Sequence, residues 1–222
     1  MVNIQIGNGI KEKDLDMQDK KEIKFDNTSW SFKTDPVSLY AYWDNAFTKE
    51  ECDKIIDIAN NKGLVNGKVE AMRLGKADED QKKTRDSSIS WLNPTDNLEW
   101  FYRRLTDIIT ELNENYFKFD LFGINEGLQF TNYKSPGGKY GKHVDAGGEM
   151  AVRKLSVSIQ LTNPDEYEGG ELCLYGGEKP EVMKKTQGTL VMFPSYVLHE
   201  VTPVTKGERN SLVLWVTGPA FK

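Results

Sequence analysis

Short apolar runs alternate with turn residues throughout the second half of the chain. From Gly127 onward, each run is rich in β-branched and aromatic residues, and Gly, Pro, Asn or Asp separates it from the next. Many short strands without interleaved helices predict an antiparallel sandwich or barrel. The predicted strands are Gly127–Tyr133, Lys154–Thr162, Glu171–Tyr175, Thr189–Pro194, Val197–Pro203 and Arg209–Thr217.

Two amphipathic helices are predicted ahead of this β region. Thr48 and Glu51 have the spacing of a capping box at the start of the first helix, and Gly63 would end it. The second helix is predicted to begin near Asp96, with Glu99 as its capping-box partner. Both helices would pack on one face of the β region. The predicted fold is therefore mainly β, with N-terminal helices and a jelly-roll core.

The pattern divides the chain into an N-terminal extension and one domain. Residues 1–38 are polar with scattered apolar positions, so we expect an arm that packs on the core. The domain would occupy residues 39–222, with helical support over 48–116 and the jelly-roll core over 127–218. Two further strands are predicted in the first half, at Val37–Trp43 and Ser87–Trp91.

A long loop is predicted between the first helix and the strand Ser87–Trp91. The stretch from Gly63 to Asp86 is dotted with glycine and charge, and such a composition cannot bury much surface. A loop of this length is either a lid over a binding site or a solvated excursion, and the pattern leaves both open.

Composition excludes several classes of partner. The formal net charge is −5 and no dense run of Lys or Arg occurs, so nucleic acid is not an expected partner. No apolar stretch reaches membrane-spanning length, and the first residues lack the basic start and apolar run of a signal peptide. Two cysteines favour reduced thiols over a disulfide framework. We expect a cytoplasmic protein without a membrane partner, and the pattern indicates no oligomeric state.

The chain has only two histidines, and both lie in the predicted β half. His143 stands two residues before Asp145, so an extended backbone would point both side chains to the same side. His199 follows on a distant predicted strand. Two imidazoles and one carboxylate are the ligand set of non-heme Fe(II) oxygenases, which leave further coordination positions open. The alternative is that each histidine is an ordinary core or surface residue.

An arginine and a tyrosine could complete a pocket beside such a metal. Arg209 begins the predicted final strand, and its planar fork could hold the distal carboxylate of 2-oxoglutarate. Ser211 shares that strand face and could add a hydroxyl contact, and Tyr133 on an earlier strand could reach the same pocket. The alternatives are a surface salt bridge between Arg209 and Glu208 and an ordinary core position for Tyr133.

Two long segments resemble the PKHD-type hydroxylases, which belong to the prolyl 4-hydroxylase-like branch of the Fe(II)/2-oxoglutarate dioxygenases. They are HVDAGGEMAVRKLSVSIQLTNPDEYEGGELCLY and GTLVMFPSYVLHEVTPVTKGERNSLVLWV. The resemblance runs from Gln129 to about Pro219, with weaker echoes upstream in FTKEECDKII and TRDSSISW. It implies a double-stranded β-helix, which is a form of jelly roll.

The resemblance also implies roles for individual residues. The implied iron ligands are His143, Asp145 and His199. The implied 2-oxoglutarate contacts are Arg209, Tyr133 and Gln160, the last standing where prolyl hydroxylases often have a pocket tyrosine. The implied substrate-pocket residues are Arg85, Trp91, Tyr140 and Trp215. No catalytic side chain beyond the metal ligands is implied.

The expected function is hydroxylation of an aliphatic C–H bond with release of succinate and CO2. The first expected substrate is a prolyl residue in a peptide or protein, ahead of a lysyl residue or a free amino acid. The expected cofactors are Fe(II), 2-oxoglutarate and O2, and ascorbate is left open. Asp145 favours hydroxylation over halogenation, because the related halogenases have a small residue at that position. The alternatives are a non-redox metal-binding jelly roll, such as a cupin-like isomerase or ligand-binding module, and an inactive scaffold.

Overall fold

The computed structural model describes residues 4–6, 36–67, 83–147, 150 and 152–220. Within these ranges the fold is carried by two antiparallel sheets, whose strands are numbered in chain order. The larger sheet has the order β1 (Ile4–Ile6), β2 (Ala41–Trp43), β12 (Leu190–Pro194), β8 (Arg153–Gln160), β14 (Val204–Thr217), β6 (Leu128–Lys134), β5 (Ser88–Leu92) and β3 (Val65–Asn66). The smaller sheet has the order β11 (Glu181–Val182), β10 (Leu172–Tyr175), β13 (Leu198–Val201), β7 (Lys139–His143) and β4 (Arg85–Asp86).

The remaining elements are short turns and two helices. β9 (Tyr167–Gly169) pairs with the first part of β14, and a 3₁₀ turn at Pro164–Glu166 precedes it. The helices are α1 (Lys49–Lys62) and α2 (Glu99–Leu112), and a π-helical turn at Asn113–Phe117 continues α2. The prediction of a mainly β fold with N-terminal helices is confirmed. None of the described helices is long and apolar enough to cross a bilayer.

The strand β14 shows how the larger sheet serves two purposes. Its even-numbered residues, such as Leu212 and Leu214, belong to the main hydrophobic core together with residues of α1 and α2. Its odd-numbered residues Ser211, Val213 and Trp215 line a cavity on the opposite face. Successive strand residues point to opposite faces, so one alternating sequence binds the helical layer and builds the cavity wall.

The neighbouring strand β8 alternates in the same way. Leu155, Val157 and Ile159 join the core beneath the helices, whereas Ser156, Ser158 and Gln160 are the small or polar residues between them. All eight residues of β8 are buried. Its polar side chains are therefore available for contacts inside the protein and not with solvent.

The two predicted capping boxes have different outcomes. The first is confirmed, because Thr48 Oγ1 accepts from the Glu51 N–H at 3.3 Å and Glu51 Oε2 accepts from the Thr48 N–H at 2.9 Å. The second is wrong, because α2 begins at Glu99 without a side-chain cap. The Asp96 carboxylate instead accepts from the Asn93 N–H at 2.7 Å and from Lys62 Nζ at 2.6 Å.

Several predicted strand boundaries need correction. The final strand begins at Val204, so Arg209 lies in its middle and not at its start. The strand β7 was not predicted, because its Gly- and Lys-rich sequence has little strand character and is held by ladders to β13 and β4. The predicted loop from Gly63 to Asp86 has paired ends in β3 and β4, and its residues 68–82 lie outside the described ranges.

The N-terminal extension is described only at one strand. β1 pairs antiparallel with β2, so at least this part of the extension lies against the edge of the larger sheet. Residues 1–3 and 7–35 lie outside the described ranges. The division of the chain at residue 38 therefore stays a prediction.

We expect Gly188→Ala to destabilise the fold by about 3 kcal/mol. Gly188 has a positive φ of 79°, and an added Cβ would lie 1.9 Å from the Phe47 carbonyl oxygen. The same backbone carries the hydrogen bonds that join β12 to α1 and β8, from Phe47 N–H to Gly188 O and from Gly188 N–H to Gln160 O. Denaturant unfolding would measure the loss of stability. Gly177→Ala is the control, since nothing lies within 4 Å of its added Cβ, and equal stability of both variants would contradict the prediction.

Candidate metal centre and its cavity

A cavity of about 760 Å³ opens between the two sheets. Its wall on the larger sheet comes from β5, β6, β8 and β14, and its wall on the smaller sheet comes from β7, β10 and β13. Arg209 and Tyr133 lie side by side in the lining, and Trp215 neighbours both Trp91 and Arg153. All of these side chains face the same enclosed space as His143, Asp145 and His199.

The structure brings His143, Asp145 and His199 together. Their potential ligand atoms all lie within 4.8 Å of one another, and no other group of this kind occurs in the described part of the chain. Asp145 Oδ1 is 3.6 Å from His143 Nε2, and Asp145 Oδ2 is 3.5 Å from His199 Nε2. The three side chains converge on one point from the side of the smaller sheet.

Strand register is what makes the two histidines meet. His199 on β13 is paired directly opposite His143 at the end of β7, so their side chains project from the same face. Asp145 follows two residues later, where its backbone N–H donates to Ser195 O at 2.9 Å. This bond ties the Asp145 backbone to the turn that links β12 and β13.

Both imidazoles are held in the tautomer that a metal requires. His143 Nδ1 lies 2.7 Å from Gly141 O, and His199 Nδ1 lies 2.9 Å from Val197 O. A carbonyl oxygen can only accept, so each Nδ1 carries the proton and each Nε2 keeps a free lone pair. Burial and the neighbouring His199 lower the pKa of His143 to about 4, so this ring is neutral near pH 7.

The Asp145 carboxylate is kept ionised. Burial alone would raise its pKa, but the charge that His199 and His143 carry when protonated, together with Ser156 and Trp215, outweighs burial and holds the pKa below its ordinary value. Ser156 Oγ donates to Asp145 Oδ2 at 2.7 Å. The nearby Trp215 indole also lowers the Asp145 pKa, although Trp215 Nε1 is buried and makes no hydrogen bond of normal geometry with the described residues. An ionised carboxylate with an ordered second oxygen is a good metal ligand.

Aromatic rings on both sides restrict the movement of the imidazoles. Tyr140 stacks on His143 with ring centroids 3.5 Å apart and an angle of 16° between the planes. Phe193 meets His199 edge-on at 4.8 Å, and the two imidazole centroids are 4.1 Å apart. The rings therefore form one packed column, which prepares the ligand geometry before any metal binds.

The same cavity contains a buried cation without an acidic partner. Arg209 is 1% exposed, and none of the ion pairs among the described residues includes it. Its hydrogen bonds go to uncharged acceptors: Nη2 donates to Gln160 Oε1 at 2.8 Å, and Nη1 donates to Ser211 Oγ at 3.3 Å. A buried charge is costly unless it is compensated, so this position is suited to an anionic ligand.

Of the three other predicted 2-oxoglutarate contacts, two line the cavity and one does not. Tyr133 and Ser211 line the cavity, and the Arg209 guanidinium lies 5.4 Å from the Tyr133 ring centroid. Gln160 does not line the cavity. It lies behind Arg209 and contacts it, so its direct ligand contact stays only a prediction.

The four residues predicted for the substrate pocket all line the cavity. Trp91, which is 38% exposed, lies 6.2 Å from Trp215 between ring centroids. Arg85 lies over Tyr140 at 4.6 Å and donates from Nη2 to Gln129 Oε1 at 2.8 Å. The indoles thus form one part of the wall, and Arg85 with Tyr140 forms another.

Two polar groups beside the metal ligands were not predicted from the sequence. Arg153 forms two hydrogen bonds with Glu126 and lies 3.7 Å above the Trp215 ring, and so it fixes the indole beside Asp145. Ser156, which supports Asp145, is the other. The polar positions of β8 among apolar residues were the available signal, but their partners lie far away in the sequence.

The donor set fits Fe(II). Two neutral imidazole nitrogens and one carboxylate, all on one side of a point, form the facial arrangement that non-heme Fe(II) sites use. A structural zinc site would need a fourth protein ligand, and the described residues provide no fourth His, Cys, Asp or Glu at this point. The open side of the group faces the cavity.

Comparison with known proteins agrees with this geometry. Residues 128–217 match the family described as the 2OG-Fe(II) oxygenase superfamily. The resemblance to the PKHD-type hydroxylases is confirmed. A PKHD-type hydroxylase of Stenotrophomonas maltophilia is 42% identical over 94 residues, which are 40% of this chain and 41% of the relative. One from Prochlorococcus marinus is 37% identical over 99 residues, which are 44% of each chain. The chain thus spans about two fifths of the length of the curated relatives that it matches.

Solved structures of 2OG oxygenases share the fold over a longer range. A prolyl-4-hydroxylase of Pseudomonas putida has a TM-score of 0.64 at 19% identity and covers 82% of this chain and 94% of its own. A prolyl hydroxylase of Trichoplax adhaerens, in complex with a hypoxia inducible factor peptide fragment, has a TM-score of 0.66 at 19% identity, covering 81% and 83%. At such identities the likeness concerns the fold, and it confirms the predicted jelly-roll class.

We expect Ser156→Ala to weaken metal binding by about tenfold, because the Asp145 carboxylate loses the donor that orients its second oxygen. Titration with Fe(II) without oxygen, or with Co(II), would measure the dissociation constant. Ser90→Ala is a matched control. Ser90 is also buried in a strand, but it lies between the cavity-lining residues Ile89 and Trp91 and so points to the opposite face. Unchanged metal affinity in Ser156→Ala would argue against this role.

Proposed function

We propose that the protein is an Fe(II)- and 2-oxoglutarate-dependent dioxygenase that hydroxylates an aliphatic C–H bond. The single observation that carries the proposal is the buried Arg209 guanidinium, which faces the same cavity as the His143, Asp145 and His199 group and, among the described residues, has only uncharged hydrogen-bond partners. A metal-binding group alone would suit many functions. A metal-binding group together with an uncompensated cation suits a cosubstrate that has a chelating end and a distal carboxylate.

The residues of the chain divide the work as follows. His143, Asp145 and His199 would hold Fe(II), and Arg209 with Ser211 would hold the distal carboxylate of 2-oxoglutarate through two hydrogen bonds. Tyr133 would pack against the same cosubstrate. When bound, Fe(II) uses O2 to convert 2-oxoglutarate to succinate and CO2 and to insert one oxygen atom into the substrate C–H bond. The protein supplies ligand geometry, orientation and a cavity that restricts water.

We propose a prolyl residue in a peptide or protein as the substrate. Trp91 and Trp215 offer aromatic faces at the cavity wall, and a pyrrolidine ring packs well against such faces. Arg85 and Tyr140 line another part of the same cavity, where a peptide chain on either side of the prolyl ring could lie. The fold likeness to prolyl hydroxylases, one of them complexed with a peptide fragment, supports this choice.

We also propose a cytoplasmic location. Cys52 and Cys173 are both free thiols and both buried, as expected for a protein that folds in a reducing compartment. Burial raises the pKa of Cys52 to about 12, so this thiol is neutral and unreactive under ordinary conditions.

Anaerobic binding followed by turnover tests the proposed activity. The protein with Fe(II) and 2-oxoglutarate should show a weak visible charge-transfer band without oxygen, and admitting oxygen should yield succinate. His199→Ala should abolish the band. Arg209→Ala should raise the concentration of 2-oxoglutarate needed for the band by about 30-fold or more, because a buried charge pair is lost.

Arg103→Ala serves as the control for removal of an arginine. Arg103 pairs with Glu99 on the exposed face of α2, and its side chain is 77% exposed. Metal binding without the band and without succinate, in the folded unaltered protein, would reject the dioxygenase and favour the non-redox metal-binding jelly roll.

The proposed peptide site predicts a selective effect of Trp91→Ala. Succinate formation that depends on a proline-containing peptide should fall by about tenfold, because one aromatic face is lost. Slow succinate formation without peptide should persist, since Trp91 is not placed at the metal or at Arg209. Phe122→Ala is the control, as this ring is 70% exposed and does not line the cavity. An equal loss of both reactions would contradict a role in substrate binding.

A further inference from the structure

Within the described part of the chain, the side chains placed against the Arg209 guanidinium are uncharged. Gln160 Oε1 and Ser211 Oγ accept from its two terminal nitrogens. The Tyr167 hydroxyl lies beside the same group, and although burial raises the pKa of Tyr167, the adjacent Arg209 opposes that rise. On another side, Gly170 leaves no room for a side chain, because an added Cβ would lie 2.9 Å from Arg209 Cδ.

A carboxylate is close enough to interact with Arg209, yet it is engaged elsewhere. Glu171 accepts a short hydrogen bond from Thr202 Oγ1, and Lys185 Nζ lies 3.8 Å from its carboxylate. These two partners and Arg209 all lower the pKa of Glu171, with the Thr202 bond as the largest influence. Lys185 also donates to Gly169 O at 2.9 Å, which fixes its position beside Glu171. Glu171 is therefore held by Thr202 and Lys185 and does not form an ion pair with Arg209.

Among the side chains that contact Arg209, Gln160 is the one most similar in shape to an acidic residue. It is 2% exposed and its backbone is fixed on both sides, because its N–H donates to Thr189 O and its carbonyl accepts from the Gly188 N–H. Gln160 lies on β8 and is paired directly opposite Ser211 of β14, which is the other hydrogen-bond partner of Arg209. A glutamate differs from this glutamine by one atom, and it would place a negative charge where Oε1 lies 2.8 Å from Arg209 Nη2.

We propose that Gln160 is a positioning residue that determines the charge of the cosubstrate. It orients the Arg209 fork through an uncharged acceptor and so leaves the positive charge available for the distal carboxylate of a 2-oxo acid. This inference rests on the proposed function, since it assumes that Arg209 binds 2-oxoglutarate. It assigns Gln160 a role through Arg209, not a contact with the cosubstrate.

An added negative charge at residue 160 should change thermal stability and 2-oxoglutarate affinity in opposite directions. In Gln160→Glu the new carboxylate forms a buried, charge-assisted pair with Arg209, so the protein without cosubstrate becomes more stable to heat. The same pair competes with 2-oxoglutarate, whose affinity falls by about 30-fold or more. Gln160→Met removes the acceptor but adds no charge, so it lowers thermal stability and weakens 2-oxoglutarate by about tenfold or less.

The experiment measures both quantities on the full chain loaded with Fe(II) and kept without oxygen. Visible absorbance gives the dissociation constants of 2-oxoglutarate and of 2-oxopentanoate, which has the same carbon chain without the distal carboxylate. Thermal unfolding is recorded with and without 2-oxoglutarate. Gln187→Glu controls for an added acid in the binding measurement only, because Gln187 lies outside the cavity and its Nε2 donates to Leu161 O and Asp53, contacts that a carboxylate would lose.

The expected result is that Gln160→Glu selectively loses 2-oxoglutarate, keeps 2-oxopentanoate within about threefold of the unaltered protein and no longer gains thermal stability from 2-oxoglutarate. Three results would overturn the inference while leaving the proposed function intact. They are 2-oxoglutarate binding by Gln160→Glu within about threefold of the unaltered protein, an equal loss in Gln160→Met, and a Gln160→Glu protein that is less stable or unfolded. Failure of the unaltered protein to bind 2-oxoglutarate would instead overturn the proposed function and this inference with it.

Discussion

The two-residue period of the larger sheet is the constraint on which the rest of the structure depends. On β14 and β8, one set of alternate residues is apolar and supports α1 and α2, and the other set, which includes Arg209, Ser211, Val213 and Trp215 of β14, faces the cavity side. A shift of one residue in the register would bury Arg209 beneath the helices and place Leu212 in the cavity. Stability of the core and correct composition of the site are therefore the same requirement.

Opposite charges are handled in opposite ways in the one cavity. The Asp145 carboxylate accepts a hydrogen bond from the Ser156 hydroxyl and lies near the Trp215 indole, and its pKa is held below the ordinary value. The Arg209 guanidinium is surrounded by uncharged acceptors that orient it without cancelling its charge. The first arrangement suits a metal and the second suits a carboxylate, so the two together suit a ligand with two different ends.

The sequence similarity to known proteins is concentrated in the part of the chain that forms the metal-binding group. Residues 128–217 contain the metal-binding group, Arg209 and Trp215, and they are the residues that match the 2OG-Fe(II) oxygenase superfamily. The helical layer lies outside that match, although the structural likeness to a prolyl-4-hydroxylase extends over 82% of the chain. A helical layer only has to cover an apolar sheet face, which many sequences can do. The metal-binding strands, in contrast, have to hold particular ligand atoms at particular positions.

The sequence by itself determined the class of fold and the identity of the chemical groups. Alternating apolar runs indicated the strands, and the scarcity of histidine made His143 and His199 conspicuous. Such signals are local, because a strand or helix repeats along its own axis.

Only the tertiary structure decided how these groups meet. The strand β7 forms because β13 and β4 pair with it, despite its weak local pattern. Asp96 does not cap α2, which begins at Glu99, and its Oδ2 instead accepts from Lys62 and the Asn93 N–H. Gln160 lies behind Arg209 because β8 and β14 pair at that register. Each of these outcomes depends on partners distant in sequence. The hydrophobic periodicity of a single segment does not indicate the free energy of such pairings.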